Sequence, residues 1–429
     1  MPSSSNFRDF VPPPDHPRIT GLDKTTPEAY SAATLARPVV AEIVAGWKAN
    51  LKKPFYGITS DGTRREGVHE IVDEGAPVAE MVIIDLLTPS EFERLSHPVD
   101  SDEWRKWSNP EFLIYRTGIR LEDLPETTVS AIHALLRAST SEAGYARLLA
   151  AMKTNRFLGD LCKAVGIMNE QSYQFTLYGT PSRTAPWGFS LFGHHLCLNV
   201  FVLGRQMVAS PMFLGAEPNI IDTGPNTNTS VLDSANAAVD LPLRIMRSLP
   251  PHLQRAARVY EKLHDENMPP GRWNPADQRH LAGAFQDNRI IPYEGILASA
   301  MPEHQQSHLR AVIASFFEIL PTGPFAARMR LVERFWEETY FCWIGAFQDI
   351  DHDGGGGGGG EGSDAFYYRI QSPVVLIEFD HHSGVFLLNK EPARYHVHTI
   401  VRTPNGGDYG RGLLRLFREG CASGKYGSR

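Results

Sequence analysis

The stretch that most constrains this chain is Trp187–Gly204, WGFSLFGHHLCLNVFVLG, eighteen residues rich in aromatic and β-branched side chains. It follows SYQFTLYG, where Tyr173, Phe175 and Leu177 alternate, and the connector TPSRTAP. The pattern predicts paired antiparallel strands. QMVASPMFLGAEPNII reads as a further strand running into a loop, FYYRIQSPVVLIEFD as a strand pair, and YHVHTIVRTP as a strand stopped by Pro404. FWEETYFCWIGAF is ambiguous between helix and strand.

The first 170 residues read differently. Between Pro27 and Leu51, the residues Ala33, Leu35, Val39, Val40, Ile43 and Trp47 recur at helical spacing. A helix is expected from Val78 to Leu87. Another starts where Thr88 caps and Pro89 takes the first helical position. One or two more lie between Pro125 and Met152, with a break near Gly144. Asp61-Gly62 reads as a hairpin turn, and Asn109-Pro110 as a turn closing EWRKWSNPEF. Helices return over 235–249, 252–264 and 303–320, and a short one ends at Gly420. The class is α+β: a helical N-terminal part packed on a largely antiparallel β-sheet that carries the histidine strands. Residues 1–30, rich in Pro, Ser and Asp, read as a flexible arm, and 31–420 as one domain, mainly helical over 31–170 and sheet-containing over 171–420. Glu217 to Ser230 has no regular pattern. The Gly-rich insert at 353–363 contains seven consecutive glycines. It has no fixed helix N-terminus to cradle a phosphate and reads as a flexible joint between two strands.

Composition narrows the function classes. A net charge of -7 argues against nucleic acid as a partner. Cys162, Cys197, Cys342 and Cys421 lie too far apart for a zinc ribbon and read as reduced. No apolar leader or membrane-length run is present, so a soluble, cytoplasmic protein with no membrane partner is expected. There is no G-x-G-x-x-G following a strand, no G-x-x-x-x-G-K, no G-x-S-x-G and no H-E-x-x-H.

The candidate chemistry lies in three strands. His396 and His398 stand two apart, so their imidazoles emerge on one side of a strand, a good two-point chelate. In GHHLCLNV, read as continuous strand, His194 and His195 face opposite sides, with Asn199 sharing the side of His195. In VVLIEFDHHSG, Glu378 and Asp380 project together from an apolar strand and need a cation or strong donors. Arg369 on the preceding strand is one candidate partner and a metal ion the other; His381 and His382 follow at the strand's end. A buried polar network that only specifies the sheet would account for the same residues.

The ordered set YGITSDG, WRKWSNP, YGTPS, PWGFSLFGHHLCLN, PMFLGAEP, YYRIQSPVVLIEFD, HVHT followed by VR, and DYG resembles the domain-of-unknown-function 3500 family (DUF3500) of fungi and bacteria, over Phe55 to Phe417. The resemblance implies one evolutionary unit and no particular activity. The polyglycine tract and the segment HHSGVFLLNKEPARY depart from the family pattern.

Three functions fit these residues. The first is a metal-dependent enzyme acting on a small organic molecule. A divalent ion (Zn, Mn, Fe or Cu) would be held by His194 or His195 with His396 and His398, with Glu378 or Asp380 as ligand or base and Asn199 and Arg402 orienting substrate. Zinc or manganese would favour hydrolysis, and iron or copper an oxidoreductase. Paired carboxylates supply a base, which favours hydrolysis. The second is a metal-free isomerase, cyclase or lyase using His195, His396 and Glu378. The third is a binding protein whose cavity is lined by Trp187, Phe189, Phe192, Tyr367 and Tyr368; ionisable groups kept on apolar strands argue against it.

Overall fold

The computed structural model describes residues 6–77, 87–232, 236–347 and 365–423. The glycine-rich insert, and all but the last residue of the helix expected at 78–87, fall outside them. Among these described residues twelve strands form one mixed, mostly antiparallel sheet. They are β1 (Ser96–His97), β2 (Ile119–Arg120), β3 (Gln174–Tyr178), β4 (Trp187–Gly193), β5 (Leu196–Leu203), β6 (Gln206–Ala216), β7 (Arg258–Tyr260), β8 (Ile296–Leu297), β9 (Tyr340–Ile344), β10 (Tyr367–Gln371), β11 (Leu376–His381) and β12 (Val397–Arg402). The order along the sheet is β1-β3-β4-β5-β6-β12-β11-β10-β9-β7, so β12, last in the chain, sits between β6 and β11. Pairing is antiparallel except for β1 with β3 and β7 with β9.

The helices are α1 (Pro27–Leu35), α2 (Pro38–Leu51), α3 (Pro89–Leu95), α4 (Glu126–Ser139), α5 (Glu142–Leu161), α6 (Ala237–Ser248), α7 (Pro251–Ala257), α8 (Glu303–Phe317), α9 (Thr322–Arg334) and α10 (Arg411–Ala422). They are spread along the chain rather than gathered at its start. Thr88 caps α3 in a reciprocal capping box with Glu91. The Pro27–Leu51 pattern divides at Arg37-Pro38, where proline starts a second helix. Between α4 and α5 the break falls at Thr140-Ser141, not Gly144. Gly144 instead lets Ile319 approach, since a Cβ there would stand 2.5 Å from the Ile319 carbonyl oxygen. The helix expected over 252–264 stops at Ala257 and becomes β7. Asp61-Gly62 turns the chain without a hairpin: Thr59 bridges Ile290 instead.

Strand alternation sorts the sheet into two unlike faces. One packs Phe175, Leu198, Leu214, Ile377, Phe379 and Val401 against α4, α5, α6 and α8, forming the main apolar core. The other is covered by α2 and irregular segments, with Trp104, Trp107, Phe213, Leu281, Phe285 and Ile400 in its core. Glu378, Asp380, His398 and Arg402 belong to this second face.

Candidate metal centre

The histidines of GHHL do not lie in a strand. Gly193 pairs with Leu196, so His194 and His195 form the two-residue turn of a hairpin. His195 adopts φ 62, a left-handed conformation uncommon for a residue with a Cβ. The expected split onto opposite faces is therefore replaced by stacking, with the two ring centroids 3.8 Å apart. The turn reaches across β6 to β12: the Gly215 amide donates to the His195 carbonyl (2.8 Å), and Gly215 pairs with His398. A Cβ on Gly215 would stand 2.9 Å from His398 Cδ2 and 3.1 Å from His195 Cδ2, so only glycine lets the two rings share this space.

His195, His396 and His398 thus meet with ligand nitrogens within 4.8 Å of one another, and His280, Asp380 and His382 form a second such group. Either could hold a metal ion. All six residues are at most 5% exposed. The Nε2 atoms of His396 and His398 are 3.1 Å apart, close to the ~3.3 Å that two nitrogens ~2.05 Å from one tetrahedral ion would show. The groups abut at His382 and His398, whose ring centroids are 3.9 Å apart.

Hydrogen bonds fix which nitrogens are bare. His396 Nδ1–H donates to the Ser383 carbonyl (2.8 Å), which leaves Nε2 as a lone pair facing the group. Asn155 spends its amide on Asn169 and Ser172, so its Oδ1 accepts from His194 Nδ1 (2.9 Å). Neither nitrogen of His280 has a partner, nor has His382 Nε2, which lies 3.0 Å from Asp380 Oδ2 out of hydrogen-bonding alignment. Burial holds His195, His382 and His398 well below the ordinary imidazole range, aided by the neighbouring imidazoles; burial pushes His194 down to about 3. At neutral pH these rings are uncharged, the form that ligates.

The two β11 carboxylates are met by donors other than Arg369. Glu378 accepts from the Leu281 amide (2.9 and 3.0 Å), the Ala282 amide (2.8 Å) and the Tyr367 hydroxyl (2.6 Å). Asp380 Oδ1 accepts from Arg279 Nε (2.6 Å), and Arg279 also donates to the His381 carbonyl (2.6 Å). Residues on both sides of His280 are therefore tied to β11, which delivers His280 to the site although it lies outside regular structure.

The remaining expected residues stand apart. Although Arg369 pairs with Glu378 in register, it donates to the Pro292 carbonyl and forms an ion pair with the Glu294 carboxylate, both at 2.9 Å. Arg402 lies four residues beyond His398 on β12, roughly 13 Å at the strand rise, and meets Asp287 (3.0 Å) and Asp408 (3.4 Å). Asn199 donates to the Pro211 carbonyl (2.9 Å) at an irregularity between β5 and β6. Trp187 packs on the helical face and bonds Ser182. His194 belongs to neither ligand group; it buttresses His195. His381 turns to the helical face, where its Nδ1 accepts from the Phe366 amide (3.1 Å). Sequence reasoning misses His280, which sits in a patternless loop with no periodic signal, and gives His382 no role, since it stands in a segment that departs from the family pattern. Its amide donates to the His396 carbonyl (2.9 Å), which brings it back against β12. Beside the turn, a narrow recess is lined by Glu111, Arg120, Ser172, Gln174, Gly193 and His194. Within it Arg120 Nη2 and Gln174 Oε1 are buried without hydrogen-bond partners.

The family described as "Protein of unknown function (DUF3500)" matches residues 72–411, and the chain belongs to it. No curated protein matches the chain, and no solved structure does. Among the described residues no helix is long and apolar enough to cross a membrane.

Proposed function

We propose that the protein is a metal-dependent enzyme acting on a small organic molecule, with hydrolysis the favoured reaction and a divalent ion held by His195, His396 and His398. The observation that carries this reading is the convergence of buried imidazoles whose nitrogens face one another at metal-ligand spacing. An ion there would lower the pKa of a bound water to about 7. Asp380 is the better placed base: its Oδ2 lacks a hydrogen bond while Arg279 steadies Oδ1. Glu378 is occupied by backbone amides and Tyr367, and anchors the loop instead. Arg120, ion-paired with Glu122, keeps Nη2 without a hydrogen bond in the recess and would meet a polar part of the substrate there. Arg402 and Arg369, committed to carboxylates of the fold, take no part in this reading.

Elemental analysis of the full chain purified without chelator should find stoichiometric metal. His396→Ala should remove it, with circular dichroism and the urea midpoint of the metal-free proteins little changed. Full occupancy in the variant, or its unfolding, would overturn the reading. One observation favours a metal-free acid/base enzyme instead: the 3.1 Å contact is a hydrogen bond if His398 carries its proton on Nε2 and donates to His396. Undiminished turnover after exhaustive chelation would select that alternative.

A further inference from the structure

We infer that the centre is dinuclear, with a second divalent ion held by His280, Asp380 and His382 beside the first. This rests on the metal reading of the neighbouring group. The argument is one of unspent acceptors. His280 is 2% exposed and bonds through neither ring nitrogen. His382 Nε2 and Asp380 Oδ2, equally buried, also lack a hydrogen bond, and their 3.0 Å separation suits two ligands of one ion. Leaving several such atoms unpaired in a dry interior is unfavourable for each of them, and a cation would remove the cost for all of them together.

The backbone is arranged for the same purpose. Arg279 before His280 and Leu281 and Ala282 after it are held by the two buried carboxylates of β11. Asp380 would then combine two tasks, one oxygen fixing the loop and the other completing the ligand set, so that with two ions bound Oδ2 serves as a ligand in place of the base role that it has with one. Because His382 and His398 lie side by side, the two ions would be near neighbours, the arrangement that clamps the attacking and leaving oxygens in two-metal hydrolysis. The substrate class that such a pair would serve is an ester, amide or phosphoester.

The test is metal stoichiometry. Metal-depleted full-length protein is titrated with Zn²⁺, and separately with Mn²⁺, with bound metal counted by elemental analysis and Mn–Mn coupling followed by electron paramagnetic resonance. Two ions per chain and a coupled signal are expected. His280→Gln should leave one ion bound within about tenfold of its original affinity, weaken the other at least 100-fold, and abolish the coupling. His382→Gln, made from a different segment, should reproduce this if His280→Gln folds poorly. His195→Gln should instead weaken the first ion. A wild-type chain that saturates at one ion, with His280→Gln and His382→Gln unaltered in affinity, overturns the dinuclear centre and leaves the single-ion reading standing. Failure to bind any ion overturns both.

Discussion

At the far end of β12, Arg402 and Arg105 meet Asp287 and Asp408; at its start, five imidazoles meet Asp380 and Arg279. Both assemblies are buried on the loop-covered face of one sheet. In the first, two guanidinium groups face two carboxylates, and Tyr409 and Ser210 add hydroxyl donors to Asp287 (2.9 Å) and Asp408 (2.5 Å). Charge is balanced by the chain itself. In the second, the charged pair Asp380–Arg279 is balanced too, but His280 and His382 beside it present nitrogens without hydrogen-bond partners. The contrast separates two reasons for burying polar atoms. A fold that only needs an ionic strut supplies both signs. A surplus of acceptors lacking a cation is what a metal site looks like before the ion is considered.

The largest effect should come from breaking the strut. Arg402→Met removes the guanidinium beside Asp408 and one of the two facing Asp287, and should lower the urea-derived stability by about 3–5 kcal/mol while leaving metal bound per folded molecule unaltered. A stable variant that loses metal would merge the two assemblies into one. Next comes crowding of the histidine end. Gly215→Ala pushes on His195, His398 and the Val397 carbonyl, 2.8 Å from the added carbon. It should weaken metal about 10–100-fold at a stability cost of about 1–3 kcal/mol; unchanged affinity would mean that the ring positions are not set by this glycine. The smallest effect concerns His69, an imidazole half-buried near the strut, whose Nε2 lies 3.2 Å from the Asn405 carbonyl. Burial pushes it down to about 4, against about 6.5 unfolded. The native state then binds fewer protons, so this group's contribution is intact above about pH 6.5 and is lost as pH falls toward 4. After solvent screening, the difference between wild type and His69→Gln across that window should be on the order of 1 kcal/mol, with metal content the same. A variant with an unchanged pH profile would remove His69 from the account.

Much of this was legible in the sequence where the strand period governs. His396 and His398 were readable as one chelating pair because alternate residues share a face, and the same rule put Glu378 and Asp380 on one face of their own strand; the pairing of Asp380 with His398 comes from the strand order. The GHHL turn was not, because its two central residues are neither Gly, Asn nor Asp, and nothing in the flanking pattern marks a reversal. His280 was invisible for a different reason: its place is set by long-range bonds from Arg279 and Leu281 to β11, which no local spacing records. The Asp61-Gly62 hairpin failed in the complementary way. The turn chemistry is real, but Thr59 finds its partner at Ile290, far along the chain.

The insertion of β12 between β6 and β11 has a kinetic corollary. The proposed ligands from residue 195 and from 396 and 398 are separated by about two hundred residues of chain, and their approach through the pairing of β6 with β12 is a non-local closure that local contacts cannot accelerate. A nascent chain still missing its last strand would have no His-x-His pair to offer, so ion capture would report completed assembly and, by binding the native state alone, would hold the final strand in place.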